Sequence, residues 1–156
     1  MVSKSDISKL EKAKRLILSL FIANDNSPIK GKTILVKQSF IIAKEIAPEI
    51  DAVLEFYPYQ IGPYSTVLAK LLNDWIREGV VLADKIGRDW FFTLSDKGQK
   101  IVNEFVDQIP ANQLEEIRKM KSTTSEWGVS GILDYVYNRY PEYAITSRVR
   151  GEIINS

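Results

Sequence analysis

The stretch FYPYQIGPYSTVLAKLLNDWIREG, residues 56–79, decides the fold of this chain. Its first part is crowded with Pro, Tyr and Gly, and each proline fixes its own φ and restricts the residue before it. Ser65 is a good N-cap, and the apolar residues after it recur with helical spacing: Val67, Leu68, Leu71, Leu72, Trp75 and Ile76. Gly79 is predicted to end the helix with a positive φ. We therefore predict a rigid aromatic turn that leads into a helix over residues 65–78.

The residues that follow this helix are typical of a β-hairpin and then another helix. Residues 80–82 and 90–94 are predicted strands, and residues 84–88 form the predicted tip. Ser95 is the expected cap of the next helix, whose buried side comprises Ile101, Val102, Phe105 and Val106.

Two helices are predicted before the central stretch, over residues 7–23 and 34–47. Thr33 is the expected cap of the second one. Gly31-Lys32-Thr33 does not complete a phosphate-binding loop, because Asn26 stands where that motif needs a glycine. Residues 49–64 then form an unusually long link, with a short strand predicted over residues 53–57.

A helix followed by a hairpin is the core of a winged helix-turn-helix. The predicted fold is mainly α with a small β-hairpin, and residues 1–107 form its winged-helix core. Residues 108–156 are predicted to add C-terminal helices that pack on the core or form a homodimer contact. In this extension we predict a loop at 121–125 and a last short helix capped by Thr146 or Ser147 and carrying Arg148 and Arg150. Between them we predict a helix over 127–140 with five residues inside: Val129, Ile132, Leu133, Val136 and Tyr140.

Composition narrows the classes of function. The chain has neither Cys nor His, so disulfides and thiolate catalysis are excluded, and the commonest general base and metal ligand are missing. No nucleophile–base pair and no metal-ligand spacing is visible, so we expect no enzymatic activity, no catalytic residue, no metal and no cofactor. No apolar run approaches the length of a membrane span, and a cytoplasmic protein with no membrane partner is expected.

Charge is balanced overall but unevenly distributed. The net charge is +1, yet residues 1–44 carry nine Lys or Arg against three acids, which gives +6. Residues 45–64 carry four acids and no base, which gives −4. The basic first third could face a phosphate backbone, or it could be an ordinary solvated surface rich in lysine.

Six residues form the predicted contact set for double-stranded DNA. The outer face of the central helix carries one polar stripe, made of Thr66, Lys70, Asn73 and Arg77. Residues of these types read base edges or bind phosphates, while Lys85 and Arg88 project from the predicted hairpin tip toward the flanking backbone. The alternative is an ordinary polar helix face, diluted by Asp74 and Glu78.

The aromatic turn offers an alternative site, for a protein partner. If Tyr57, Tyr59 and Tyr64 are exposed, they form a good hot spot for a protein interface. If they instead pack against Trp75 and the first helix, they are part of the core, and this packing is our expectation.

Residues 56–65, FYPYQIGPYS, resemble the F-x-P-Y-x-x-G-P-Y-S signature of uncharacterised bacterial and archaeal winged-helix proteins, which are similar to the Panacea, or phage-associated, antitoxin domain. Residues 29–40 are similar to the family's I-x-G-x-T-x-L-x-K-x-x-F helix start, and residues 133–143 to its late helix and stop. The resemblance covers most of residues 7–150. It implies a regulator or an antitoxin-like module in the cytosol and no enzyme, and it supplies no contact residues. The function expected is DNA-binding transcriptional regulation by a homodimer, or neutralisation of a protein partner.

Overall fold

Helices make up most of this protein, and two small antiparallel sheets complete it. The computed structural model describes residues 4–144, with side chains from residue 8 onward. The final helix predicted around Thr146 and Ser147, with Arg148 and Arg150, lies outside the described residues. The mainly helical class with a small β-hairpin is confirmed.

The elements follow one another with short connections. The six helices are α1 (Lys4–Asn26), α2 (Lys32–Ile41), α3 (Asp51–Leu54), α4 (Thr66–Arg77), α5 (Asp96–Phe105) and α6 (Ala111–Arg139). The five strands are β1 (Ile29–Lys30), β2 (Tyr57–Tyr59), β3 (Gly62–Tyr64), β4 (Val81–Ile86) and β5 (Asp89–Leu94). A π-turn over Ile42–Ile46 continues α2, and 3₁₀ turns cover Pro48–Ile50, Val106–Gln108 and Pro141–Tyr143.

The smaller sheet comes directly before α4 in the chain, and the hairpin of β4 and β5 comes directly after it. In the larger sheet β5 is central, with β1 and β4 as antiparallel neighbours. Val81 pairs with Leu94, and Ala83 with Phe92, so these four side chains share the inner face. The smaller sheet is the hairpin of β2 and β3, in which Tyr57 pairs with Tyr64. Three side chains turn away from the core on the other face of β4: Leu82, Asp84 and Ile86.

Local capping defines α4 and α5 as the sequence predicts. The Ser65 hydroxyl accepts a hydrogen bond from the amide of Leu68 at 3.0 Å, and Ser95 accepts one from Gly98 at 3.0 Å. Gly79 follows α4 with φ of +76°, and its amide donates to the carbonyl of Ile76.

Three predictions about the regions around these helices are wrong. Thr33 does not cap α2, which begins at Lys32 after Gly31 and has no side-chain cap. Residues 53–57 are not a strand, because α3 occupies Asp51–Leu54 and β2 begins at Tyr57. Residues 121–125 are not a loop but lie inside α6, where Lys121 and Thr124 are buried.

Lys121 is buried because α1 supplies its hydrogen-bond acceptors. Its ammonium donates to the carbonyls of Phe21 and Ala23, both at 2.8 Å. The backbone of α1 leaves helical angles at Ala23, so these carbonyls belong to the last helical turn, where a lysine can act as a cap. With Ile117 and Ile132, α6 shares the core of α1, α2, α4 and the larger sheet.

Lys37 is a second lysine in the interior, and no such partners are found for it among the described residues. Its side chain is 2% exposed on α2, near Gly62 of β3 and Tyr137 of α6. Its ammonium forms no hydrogen bond or ion pair with any residue from 8 to 144. Burial lowers the pKa of Lys37 to about 8, whereas an exposed lysine titrates near 10.5.

This burial predicts a stability that increases with pH. Between about pH 8 and 10.5 the folded state holds fewer protons on Lys37 than the unfolded state, so raising the pH favours folding. From pH 7.5 to 9.5 we expect the free energy of unfolding to rise by roughly 2 kcal/mol from this group. Urea denaturation of the wild type and of Lys37→Met at several pH values measures it. Equal slopes for the two proteins would rule out the effect.

Candidate interaction surface

The predicted polar stripe of α4 is exposed. All four of its side chains face solvent: Thr66, Lys70, Asn73 and Arg77. The opposite face of the helix buries Leu68, Leu72 and Trp75 against the core. The sequence pattern therefore identifies correctly which side of α4 a partner can reach.

Both cations of the stripe interact with a carboxylate of their own helix. Asp74 accepts a hydrogen bond from the Lys70 ammonium at 3.0 Å and another from Arg77 at 2.6 Å. The hydrogen bond from Lys70, followed by the charges of Lys70 and Arg77, holds the pKa of Asp74 below its usual range. Asp74 therefore stays ionised and reduces the positive potential that a phosphate would meet here.

The second hairpin is longer and less polar than predicted. Its strands continue to Ile86 and Asp89, so the turn is only Gly87-Arg88 and Lys85 lies within β4. The Lys85 ammonium sits 5.9 Å from the centre of the Trp90 ring, a cation–π contact. Arg88 at the turn is exposed and forms no ion pair with the part of the chain that the structure describes.

The region from α4 through β5 carries no net charge. Its four cations, Lys70, Arg77, Lys85 and Arg88, are matched by four anions, Asp74, Glu78, Asp84 and Asp89. Two cations of the basic first third are paired with acids of the segment that follows it. Lys12 forms an ion pair with Glu49, and Lys44 forms one with Asp51 at 2.8 Å, so the basic and acidic segments of the sequence meet in space. The region from α4 through β5 therefore offers a phosphate backbone no net positive charge, and the ion pairs reduce the positive charge of the first third.

The three tyrosines of the first hairpin form a cluster, and two of them are open to solvent. Tyr57 is 38% and Tyr59 is 44% exposed, and the ring centroids of the three tyrosines lie 5.5–6.1 Å apart. The expectation that the tyrosines pack into the core against Trp75 and the first helix is wrong for Tyr57 and Tyr59, which are exposed, whereas Tyr64 is half-buried and packs against the main core. The Tyr57 hydroxyl lies 3.2 Å from the Thr66 hydroxyl, so the hairpin adjoins the first turn of α4.

Exposed apolar side chains are concentrated on the two hairpins. Of eight large hydrophobic side chains that are exposed in the described part of the chain, six lie there: Tyr57, Tyr59, Ile61, Leu82, Ile86 and Trp90. Ile86 is 67% exposed, the highest value among the eight. Leu82 and Ile86 are not among the residues that the sequence predicts as a contact surface. Their alternation with Asp84 in a strand was an available signal, because residues two apart share a face.

The described residues show neither a metal site nor a membrane-spanning helix. Within residues 4–144, no three Asp or Glu side chains converge as a metal site would require. None of the helices described there has the length and apolar character needed to cross a membrane. No family model matches the sequence, and no curated protein matches it either.

Proposed function

We propose that this chain is a winged-helix protein that binds a protein partner through its two hairpins. The concentration of six exposed apolar side chains on these hairpins carries the proposal. Single exposed hydrophobic residues are normal on any protein, but six concentrated on two hairpins favour an interaction site.

The order of the elements supports the winged-helix part of the proposal. β1 follows α1 and pairs with β5, while β4 and β5 form a hairpin directly after α4. In this interpretation α4 is the recognition helix and the hairpin of β4 and β5 is the wing. The first hairpin is an insertion before α4, and its hydroxyl contact at Thr66 joins it to the helix.

The chemistry of the hairpins fits a protein better than a nucleic acid. Tyrosine and tryptophan are enriched in protein interfaces, where a large ring becomes buried while its polar atom finds a partner. The tyrosines already pack on one another, so they lose little side-chain freedom on binding. The resemblance of residues 56–65 to an antitoxin domain supports the same proposal, and in that case the partner is a toxin that this chain neutralises.

DNA binding is the second candidate, and the exposed stripe of α4 favours it. A duplex phosphate could replace Asp74 as the partner of Lys70 and Arg77, and Asn73 could reach a base edge. Arg88 at the turn of the wing and Lys85 would then lie along the backbone. A homodimer with α6 at its interface would place two such units on two half-sites.

One set of variants separates the two candidates. Tyr59→Ala and Ile86→Ser remove apolar contacts without changing charge, while Lys70→Ala and Arg77→Ala remove charge and keep the hairpins. We expect the first pair to abolish co-purification with the product of an adjacent reading frame that is co-expressed with this chain. The second pair should leave that association within about twofold of the wild type.

Duplex binding gives the opposite pattern if the second candidate is correct. Wild type is titrated on its own upstream DNA and on random duplex at two salt concentrations, with sedimentation to report self-association. DNA binding would be established if the wild type binds duplex more tightly than about 10 μM at low salt, and if Lys70→Ala weakens this binding while Tyr59→Ala does not. If neither duplex is bound and no neighbouring product associates, both candidates fail.

A further inference from the structure

A groove separate from both hairpins lies between the end of α2 and the middle of α6. Its volume is about 330 Å³, in the range of small-molecule sites. The floor is apolar and includes Ile41, Ile46 and Met120. Ile46 belongs to the π-turn that ends α2, a distortion that often occurs at functional sites.

An aromatic wall is held over this groove in a half-exposed position. The Trp127 ring is 42% exposed and lies 5.2 Å from the Tyr135 ring, with 37° between their planes. Tyr135 is itself held in place, because its hydroxyl donates to Glu45 at 2.7 Å. The wall therefore exists before any ligand arrives.

The backbone around Trp127 is adapted to this position. Gly128 leaves the helix with φ of +71°, a conformation that other residues resist, and so α6 is broken directly after Trp127. One turn later, a Cβ on Gly131 would lie 2.5 Å from the Cβ of Trp127, so only glycine leaves room there. Gly128 thus permits the break in the helix, and Gly131 leaves room for Trp127, whose side chain remains partly exposed to water.

The rim of the groove carries one charge of each sign. Glu116 and Lys119 both line it from α6, three positions apart and therefore on one side of the helix. Neither forms an ion pair with another described residue. Glu45 also lines the groove, but its carboxylate already accepts the hydroxyls of Tyr135 and Tyr140 at 2.7 and 2.9 Å.

We propose that this groove binds a free α-amino acid with an aromatic or large apolar side chain. The side chain of the ligand packs on Trp127 and the apolar floor. The ammonium of the ligand pairs with Glu116 and its carboxylate with Lys119. A ligand with only one of these charges leaves the other rim residue without a partner, so a zwitterion fits best.

Titration with L-phenylalanine tests the proposal, because this amino acid does not obscure tryptophan signals. The readout is the indole N–H resonance of Trp127 in ¹⁵N-labelled full-length protein, assigned with Trp127→Phe. We expect a saturable shift with roughly millimolar affinity, as is usual for so small a ligand. Glycine lacks the side chain, 3-phenylpropanoate the ammonium and phenethylamine the carboxylate, and each should bind about tenfold more weakly or worse.

Charge variants on neighbouring positions provide matched controls. Glu116→Gln should remove the preference for L-phenylalanine over 3-phenylpropanoate, and Lys119→Gln the preference over phenethylamine. Glu115→Gln is the control, because Glu115 lies outside the groove lining and pairs with Arg118 at 2.9 Å. The proposal is overturned if L-phenylalanine causes no saturable shift, if the three analogues bind as tightly, or if Glu115→Gln has the effect of Glu116→Gln.

Discussion

Replacing Gly98 with alanine is expected to lower the free energy of unfolding by about 3 kcal/mol or more. Gly98 lies in the first turn of α5, and a Cβ there would be 2.3 Å from the carbonyl oxygen of Val80. That oxygen also accepts hydrogen bonds from the amide of Ser95 at 3.0 Å and from its hydroxyl at 3.1 Å. The backbone therefore has to move, and the contact between α5 and the start of β4 is lost.

Gly79→Ala is the matched control for this substitution. Gly79 has a positive φ of +76°, but no atom lies within 4 Å of the position that its Cβ would take. Its cost is the backbone strain alone, about 1 kcal/mol. Thermal and chemical unfolding of both variants measures the difference. Equal losses of stability would show that crowding at Gly98 is relieved at little cost.

Replacing Phe40 with alanine is expected to lower the free energy of unfolding by about 3–5 kcal/mol. Phe40 is fully buried on α2, and its ring packs edge-on against three others: Phe56 at 5.2 Å, Tyr140 at 5.1 Å and Tyr143 at 4.8 Å. Phe56 lies just before β2, and Tyr140 and Tyr143 lie just after α6. The Phe40 side chain therefore joins α2 to two segments that are distant from it in the sequence. Its removal leaves a cavity that rigid neighbours cannot fill.

Ile86→Ala is the control for this second prediction. Ile86 loses apolar atoms as well, but it is 67% exposed on β4, so the substitution should change the free energy of unfolding by no more than about 0.5 kcal/mol. Denaturant midpoints for the two variants, with equal m-values, give the comparison. A Phe40→Ala protein within 1 kcal/mol of the wild type would contradict the view that this aromatic cluster holds α6 to α2.

The part of the candidate site that could be predicted is the outer face of α4. Thr66, Lys70, Asn73 and Arg77 share a side because helical spacing is a local rule, and the structure leaves all four exposed. The pairing of Lys70 and Arg77 with Asp74 is also local, at separations of four and three residues. This pairing could have been inferred from the spacing. It reduces the positive charge that the stripe offers to a phosphate.

The exposure of the hairpin side chains could not be predicted from local pattern. Tyrosines such as Tyr57 and Tyr59 are often buried in a core, and whether these two are buried depends on whether another element covers the hairpin. Tyr57 and Tyr59 remain exposed, whereas Tyr64 of the same hairpin is half-buried and packs against the main core. Which side chains a distant element covers is decided only when the whole chain is assembled.

Interactions over three or four residues determine the elements that the sequence predicts well. Ser65 and Ser95 cap amides three positions away, and Gly79 ends α4 through a backbone bond to Ile76. These groups are close along the chain, so the helix ends that they favour can be predicted from the sequence itself.

Contacts between residues far apart in the sequence decide which other side chains are buried and which charges are paired. Lys121 looks like a loop residue, yet it is buried in α6 because the carbonyl of Phe21, 100 positions earlier, accepts its hydrogen bond. Lys12 and Glu49 form an ion pair across 37 positions, which reduces the positive charge of the basic first third. The burial of Lys121 is stabilised by acceptors from another element, and the position of those acceptors is a property of the tertiary structure.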